Sequence, residues 1–434
     1  MDFTDKKIAL LGFGIENRAI LRYLKDKGAK ISIRDRNDNL VISEPSVKAQ
    51  LGRNYLQDLD KFDIIFRSPG IPYLTPEIQN AKQSGVIITS QTKLFFDECP
   101  AKIIGVTGTK GKGTTSTLIK TILDKAREKG EITSAVYLVG NIGVPPISII
   151  DKVRPEDFVI IELSSFQLQD LEKSPHIAVV LGLHQDHLDH HKDTNEYFNS
   201  KKNIVRFQTA EDYAVINYDN EQSRAFGKDT AAKVYYFSKQ KGEPKVDNIE
   251  LSAIPAQIEN ILAASFVART IGIKNDTITE GLRAFKPLPH RLEYVATVKG
   301  VRYYNDSFAT TPEATIAAIQ YFQEPITLIV GGSPKGADYS VLISEIKNNP
   351  NVRNIICIGE EGKRIFTMLQ DVAVDKNFIE GGTTMKEIVD KSCDVTQKGG
   401  VVILSPGAAS FDMFKNATDR GDQFKREVRL LRAK

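Results

Sequence analysis

Cysteine, one-sided charge and long apolar runs are all scarce in this chain of 434 residues, and each scarcity excludes a class of protein. Cysteine occurs only at Cys99, Cys357 and Cys393. A few widely spaced thiols, odd in number, support neither a disulfide framework nor a cysteine metal site, and they fit a reducing cytosol. The formal net charge of +3 is too small to argue for nucleic acid or an anionic membrane as partner. No apolar run approaches the ~20 residues of a membrane span. The segment from Met1 to Lys7 leads straight into a strand pattern and does not read as a signal peptide. Internal repeats and low-complexity tracts are missing as well. What remains is a soluble globular composition, 41% hydrophobic and 26% charged, on a chain long enough for roughly two to four domains.

The most informative stretch runs from Ile103 to Ser116. Ile103, Ile104 and Val106 form an apolar β-type run. The turn Gly108-Thr109-Lys110-Gly111 follows, then Lys112 and the hydroxyls of Thr114 and Thr115, then a predicted helix from Thr117 to about Lys129. Strand, glycine-rich turn and helix start make a phosphate cradle: backbone N–H groups turn toward the anion, the helix dipole adds positive potential, and a lysine reaches the outer phosphates. Gly105 through Lys112 fits G-x-x-x-x-G-K. Gly113 stands where a magnesium-holding Ser or Thr is usual, so Thr114 or water takes that role. The alternative is an ordinary glycine-rich strand-to-helix turn.

Before this stretch, Lys7 to Leu11 reads as a strand, Gly12-Phe13-Gly14-Ile15 as a turn, the segment around Ile20, Leu21 and Leu24 as a helix, and Ile31 to Ile33 as a second strand tipped by Arg34-Asp35-Arg36. The G-x-G lacks a third glycine and is a weak dinucleotide fingerprint. Asp35 either accepts from a ribose or base N–H or is a solvated carboxylate. A second unit has a strand from Asp63 to Arg67, a rigid turn Ser68-Pro69-Gly70, a helix from Pro76 to Gln83 and a strand from Val86 to Ile88. This alternation implies a parallel sheet with ligands at the strand C-termini. Asp97 to Pro100 reads as a linker.

After the cradle, strands are expected at Ala135–Val139, at Phe158–Glu162 and at Ile177–Leu181. Glu162, at a strand end beside a phosphate loop, is placed to hold magnesium. Ser164 and Ser165 either orient substrate or are plain loop residues. The cluster His184-Gln-Asp-His187-Leu-Asp-His190-His191 lacks the helical spacing and cysteine help of a zinc site. His187 is expected to bind a second cation, and His190 and His191 to be solvated imidazoles. A helix follows from Glu196 to Phe207 with Lys201 and Lys202. Further on come a hairpin turning at Lys299-Gly300, a helix starting at Thr311-Pro312, strands at Ile326–Val330, at Ile355–Ile358 and at Val401–Leu404, and a solvated amphipathic tail helix from Lys425.

Taken in order, G-T-K-G-K, G-N-I-G, E-L-S-S-F-Q, D-H-L-D, His290-Arg291, Asn305-Asp-Ser, Gly331-Gly with Lys335, and Leu404-Ser-Pro with Ser410-Phe-Asp and Arg420-Gly-Asp resemble the Mur ligases over essentially the whole chain. The resemblance implies an α/β protein of three domains: a Rossmann-like uridine-nucleotide binder at 1–98, a central P-loop ATPase sheet at 99–289, and a Rossmann-like amino-acid-binding domain at 290–434. It implies ATP and Mg2+ driving amide synthesis through an acyl phosphate, for cell-wall peptidoglycan assembly in the cytoplasm. The implied substrates are small molecules, UDP-MurNAc-L-alanine and D-glutamate, with no nucleic acid or membrane partner and a monomeric chain. A ligase adding another amino acid, or a folylpolyglutamate-type enzyme, is the alternative.

By the same resemblance Lys112 holds the outer phosphates, and Glu162 and His187 hold two magnesium ions with Thr114 assisting. Lys201 matches the lysine that the family carbamylates, with Lys202 the choice if the register slips. Asn260, Arg291 and Asp306 correspond to contacts with adenine, phosphate and ribose. Gly108, Thr109, Lys110, Gly111, Gly113 and Thr115 complete the ATP cradle. Gly14, Ile15, Asp35, Arg36, Ser68, Pro69, Gly70, Asn141 and Ser164 face the uridine nucleotide substrate, and Thr310, Lys335, Ser410 and Phe411 the incoming amino acid. Four positions depart from the pattern: Phe308 for a lysine, Ala417 for an aromatic, Ala256-Gln-Ile-Glu before Asn260, and Gly113.

Overall fold

A computed structural model of the chain describes all residues except 43, 45–46, 141–143, 186–190, 247–253, 255, 287–288, 335–336, 373–375 and 433–434. Three β-sheets divide it, the first two within one compact unit, residues 1–286, and the third within a second unit, residues 287–434.

The first sheet holds β1 (Lys7–Leu11), β2 (Lys30–Asp35), β3 (Lys48–Leu51), β4 (Ile64–Arg67) and β5 (Ile87–Thr89) in the order β3-β2-β1-β4-β5, all parallel. Ile8 to Leu11 are fully buried, as expected of a strand covered on both faces. The strand order reverses between β1 and β4, so a crevice opens beyond their C-terminal ends. The two predicted turns, Gly12–Gly14 and Ser68–Gly70, stand at that crevice.

The second sheet holds β6 (Lys102–Thr107), β7 (Val136–Gly140), β8 (Phe158–Glu162), β9 (Ile177–Val180), β10 (Tyr213–Asn217) and β11 (Lys233–Phe237) in the order β11-β10-β9-β6-β8-β7, again parallel. Here β6 is the switch strand, and the glycine-rich loop leaves its C-terminal end. The helix that follows spans Lys112–Glu128 and buries Thr115, Leu118, Ile119, Ile122, Leu123 and Ala126 at helical spacing. It begins five residues before the predicted Thr117, because packing outweighs the poor helix propensity of its Gly and Thr residues. The helix Asn275–Ala284 approaches closely enough that a Cβ on Gly281 would sit 2.6 Å from the Ile122 Cα.

The predicted linker around Asp97–Pro100 is instead the tail of a packed helix, Gln91–Glu98. Its Leu94 joins the core of the first sheet, and Phe95 and Phe96 that of the second.

In the second unit, an antiparallel hairpin of β12 (Glu293–Val298) and β13 (Val301–Asn305) edges a parallel set of β14 (Ile326–Gly331), β15 (Val352–Ile358), β16 (Asn377–Glu380) and β17 (Val401–Leu404), in the order β12-β13-β17-β14-β15-β16. The expected solvated tail is a docked helix, Ala417–Arg432. Arg420, Phe424 and Val428, four residues apart, point one stripe into the core. Among the described residues no helix is long and apolar enough to cross a membrane.

Candidate active site

Within the first unit the two switch points face one cavity of about 370 Å³. Gly14, Ile15, Ser68, Pro69 and Gly70 line it from the first sheet, and Gly108, Thr109, Lys112, Ser164 and Lys201 from the second. Sequence reasoning had put these residues in separate roles, and the topology joins them.

Gly111, at φ +84°, is the N-cap of the helix Lys112–Glu128, and Gly108 has φ +158°. Both are backbone states that glycine adopts without strain. A side chain at Gly108 would run into Leu181, and one at Gly111 into the Asn260 carboxamide. Asn260 therefore stands directly against the cradle. Lys112 Nζ donates to the carbonyls of Gly108 (3.0 Å) and Thr109 (3.1 Å), folding back over the loop. Among the described residues, the buried hydroxyls of Thr115 and Ser116 have no hydrogen-bond partner. Gly113 is buried, Thr114 half-buried and Lys110 exposed. A bare glycine cradle at a helix N-terminus, with a lysine over it and unpartnered hydroxyls behind it, fits a polyphosphate.

The register pairs Val106 with Glu162, which brings that carboxylate beside the start of the loop. Thr107 Oγ1 donates to the Leu163 carbonyl at 3.0 Å and ties the two strand ends together. Lys201 is buried; its Nζ donates to the Gly108 carbonyl at 3.1 Å and lies 4.9 Å from the Tyr197 ring centroid. Lys202 pairs with Asp229 at 3.1 Å and does not line the cavity, whereas Lys201 does. A carboxylate and threonine hydroxyls next to a phosphate cradle are the hard oxygen donors that magnesium takes alongside nucleotide oxygens. His187 and Asn141 lie outside the described residues.

One expectation changes, and two other residues take structural partners. His191 is buried rather than solvated. Its Nδ1 meets Glu196 Oε2, its Nε2 lies 2.9 Å from Ser165 Oγ, and its ring stacks on Phe166 at 5.2 Å. Asp35 is half-buried and accepts from the backbone N–H groups of Phe13 (2.6 Å) and Asn37 (2.8 Å), and so shapes the turn after β1. Neither Asp35 nor exposed Arg36 lines the cavity. Ser164 is first of all a helix cap, with Gln167 completing a capping box.

Sequence reasoning also missed Glu16, Phe166, Gln167 and Tyr197, which line the cavity too. Glu16 accepts from Gln167 Nε2 at 2.9 Å, and burial raises its pKa above the ordinary value despite that bond and the Arg67 charge. The S-x-x-Q spacing and the four-residue step from Tyr197 to Lys201 were the available signals.

In the second unit, Asp306 is buried and accepts from Ser405 Oγ (2.8 Å) and the Leu292 N–H (3.1 Å). Burial pushes its pKa up to about 7. Exposed Arg291 lies 5.8 Å from the Phe308 ring. Thr310 is half-buried, Ser410 buried and Phe411 exposed. Arg420, fully buried, donates to Ser307 and to the carbonyls of Ala408 and Ala409, which shapes the chain leading to Ser410. Lys335 lies outside the described residues.

Three parallel-dominated sheets with a phosphate cradle on the second define an α/β protein of the P-loop nucleotide-binding class. Family models for a MurD-like Mur ligase N-terminal domain, a Mur ligase middle domain and a Mur ligase glutamate ligase domain match residues 6–90, 106–268 and 290–408. The UDP-N-acetylmuramoylalanine–D-glutamate ligase of Acetivibrio thermocellus is 37% identical over 99% of this chain and 97% of its own. The ligase of the same name from Caldanaerobacter subterraneus is 34% identical over the full length of both. Among solved structures, MurF ligase from Thermotoga maritima in complex with ADP matches with a TM-score of 0.57 at 16% identity, covering 99% of this chain and 96% of that one. E. coli FolC in complex with DHPP and ADP gives a TM-score of 0.56 at 17% identity, over 79% of this chain and 92% of that one. The chain belongs to the Mur ligase family.

Proposed function

We propose that this enzyme joins D-glutamate to UDP-N-acetylmuramoyl-L-alanine at the cost of ATP, in the cytoplasmic assembly of peptidoglycan precursors. The γ-phosphoryl group passes to the substrate carboxylate, the amine attacks the resulting acyl phosphate, and phosphate leaves. The observation that carries this reading is the single cavity where the turns after β1 and β4 meet the phosphate loop of β6. A substrate carboxylate must approach a polyphosphate there, and two anions approach each other only where cations and oriented N–H groups offset their charge.

Lys112 and the N–H groups of the loop bind and align the polyphosphate. Asn260, against Gly111, offers its carboxamide to the base. Gly14, Ile15 and the Ser68–Gly70 turn, with Ser164, position the nucleotide-linked substrate, and the family resemblance assigns Asn141 to its acyl end. Glu162 and Thr114, with His187, are the residues that would hold magnesium, which supplies charge neutralisation on the phosphates when bound. Lys201, buried in the cavity wall with its Nζ at the Gly108 carbonyl, is the lysine we assign to carbamylation. Arg291 and Asp306 serve phosphate and ribose. Thr310, Lys335, Ser410 and Phe411 serve the amino acid. We assign the working segments as 1–98, 99–289 and 290–434, in a monomer that needs no nucleic acid or membrane. The folylpolyglutamate alternative is not favoured, because the FolC structure covers 79% of the chain whereas D-glutamate-ligase relatives cover 98–100%.

The test is phosphate release from ATP and magnesium with UDP-MurNAc-L-alanine, run separately with D-glutamate, L-glutamate, glycine, L-lysine and no amino acid. Release that depends on D-glutamate, with the amide product seen by mass, supports the reading. Release with a different amino acid moves the specificity, and silence in every arm from folded protein overturns the assignment.

A further inference from the structure

Phe308 stands where the family resemblance expects a lysine, and the ligase reading gives it no task. Its ring centroid lies 5.0 Å from that of the His290 imidazole and 5.8 Å from the Arg291 guanidinium carbon. A cation within about 6 Å of an aromatic centroid is attracted by the ring quadrupole, so Phe308 is a seat for the exposed guanidinium. The backbone around that arginine is unusual. His290 has φ +63° and Leu292 φ +45°. Left-handed backbone is costly for residues with side chains and persists only where the surroundings over-determine it. Here they do. The His290 N–H donates to Glu293 Oε2 (2.8 Å), the His290 carbonyl accepts from the Phe308 N–H (3.1 Å), and the Leu292 N–H donates to Asp306 Oδ1 (3.1 Å). Arg291 is thus held by its backbone on both sides while its side chain stays exposed.

The imidazole under Phe308 is itself locked. His290 is buried, and its Nδ1 lies 2.9 Å from Asn305 Nδ2. Asn305 Oδ1 accepts from the Ser307 N–H at 3.1 Å, and Asn305 Nδ2 also donates to Glu293 Oε2 at 3.2 Å. The carboxamide therefore turns its NH2 group toward the ring, and Nδ1 must accept. The ring is neutral, with its proton on Nε2. Burial and the Lys425 charge lower its pKa against the opposing pull of Asp422 and Glu293, which keeps it in that form. The helix Ala417–Arg432 leaves room for it: a Cβ on Gly421 would collide with His290 Nδ1. One turn further on, Lys425 pairs with Glu293 at 3.4 Å, the same carboxylate that holds the His290 N–H. A histidine that only filled the core would not require left-handed backbone on both sides of its exposed neighbour.

We propose that Phe308 and His290 are positioning residues for Arg291: the locked imidazole supports the Phe308 ring, and the ring sets the direction in which the guanidinium meets the phosphates of the nucleotide. This rests on the ligase reading, which gives Arg291 that contact. A long side chain free to rotate loses that freedom each time it binds, whereas one already seated on a ring loses less. A phenyl ring at position 308 cannot donate a hydrogen bond or carry charge, so it acts through the arginine and not on the anionic substrates directly. The aromatic residue is therefore a functional replacement and not a defect in the amino-acid pocket.

The test measures D-glutamate-dependent phosphate release by the full chain while ATP, D-glutamate and the uridine nucleotide substrate are varied in turn. Phe308→Leu, at an exposed position where folding is not at stake, should lower kcat/KM for ATP about two- to fivefold, the size of an exposed cation–π contact. Phe308→Tyr, which keeps the ring, should match the parent. His290→Asn, which suits positive φ but removes the imidazole, should lose more than Phe308→Leu, up to about a hundredfold if the arginine is misplaced by about 1 Å. Neither change should worsen Arg291→Ala, because a positioning role vanishes with the group it positions. KM for the uridine nucleotide substrate should stay at the parent value throughout. Parent-like kcat/KM for ATP in Phe308→Leu overturns the proposal, as do losses that add to those of Arg291→Ala. A shift confined to KM for D-glutamate would put Phe308 in the amino-acid pocket and overturn it too. Silence of the parent with every amino acid is a failure of the ligase reading instead, and calorimetric titration of the same proteins with ATP then reads the same cycle. An Arg291→Ala protein that binds and uses ATP like the parent removes the arginine from the site and the proposal with it.

Discussion

Arg67, at the end of β4, and Asp170, after β8, form a buried ion pair at 3.1 Å, 103 residues apart in sequence. The same guanidinium donates to the Ile71 carbonyl (2.8 Å) and the Phe166 carbonyl (3.0 Å). It therefore ties the Ser68–Ile71 turn of the first sheet to the segment after Glu162 in the second. Removing one partner leaves a buried charge uncompensated, at a cost of about 3–5 kcal/mol. Arg67→Ala and Asp170→Ala should each lose about that much in denaturant unfolding, and the double variant less than the sum. Arg67→Ala should also raise KM for the uridine nucleotide substrate more than KM for ATP, and equal changes in both would argue against this coupling.

Lys112 reaches over the loop that receives the phosphates. Lys112→Ala should lower D-glutamate-dependent phosphate release by about a hundredfold or more, as loss of a preorganised charge contact does. Unfolding midpoints of variant and parent should agree closely. A variant that keeps most of its activity would remove Lys112 from the site.

Gly111 combines φ +84° with a close approach to the Asn260 carboxamide, which a side chain there would have to displace. Gly111→Ala should cost about 1–3 kcal/mol from backbone strain alone. It should also weaken nucleotide binding, which calorimetric titration with ATP would read directly. Unchanged stability and affinity would mean that the loop relaxes freely.

Lys201 is buried with its ammonium at the Gly108 carbonyl. Lys201→Met keeps the length and removes the charge, so activity should collapse while the unfolding midpoint holds or rises. Retained phosphate release would sink its proposed role.

Asp306 has its pKa pushed by burial from 3.8 to about 7, against hydrogen bonds from Ser405 and Leu292 and the nearby Arg291 charge. Between these values the folded chain binds more protons at this carboxyl than the unfolded chain does. Its contribution to stability therefore falls as pH rises from about 4 to about 7 and is level above that. Asp306→Asn should flatten that part of the stability profile, measured by urea unfolding from about pH 5 to about pH 8. An identical slope in the variant would contradict the assignment.

Much of the fold was legible because its signals are local. The boundaries of β1, β8 and β17 follow from continuous apolar runs, and the helix Pro76–Gln83 from its proline start. Strands β3, β10, β11 and β16 were missed; β3, β11 and β16 are short, largely exposed edge strands without a continuous apolar run. The tail helix was read as solvated because one apolar residue every four looks thin until Arg420 is seen to be buried with its donors engaged.

By itself the sequence determined the phosphate cradle, whose chemistry needs only neighbouring residues: glycines free to adopt positive φ, a lysine and a helix start. It also determined the order of motifs along the chain. The tertiary structure alone decided which distant residues share a site. Strand order placed Gly14 and Ser68 opposite Gly108, register set Glu162 beside Val106, and helix packing turned Lys201 inward and Lys202 outward. It also made of His191 a buried partner for Ser165 and Glu196. These relations depend on contacts between residues tens of positions apart, which only the folded chain's packing selects.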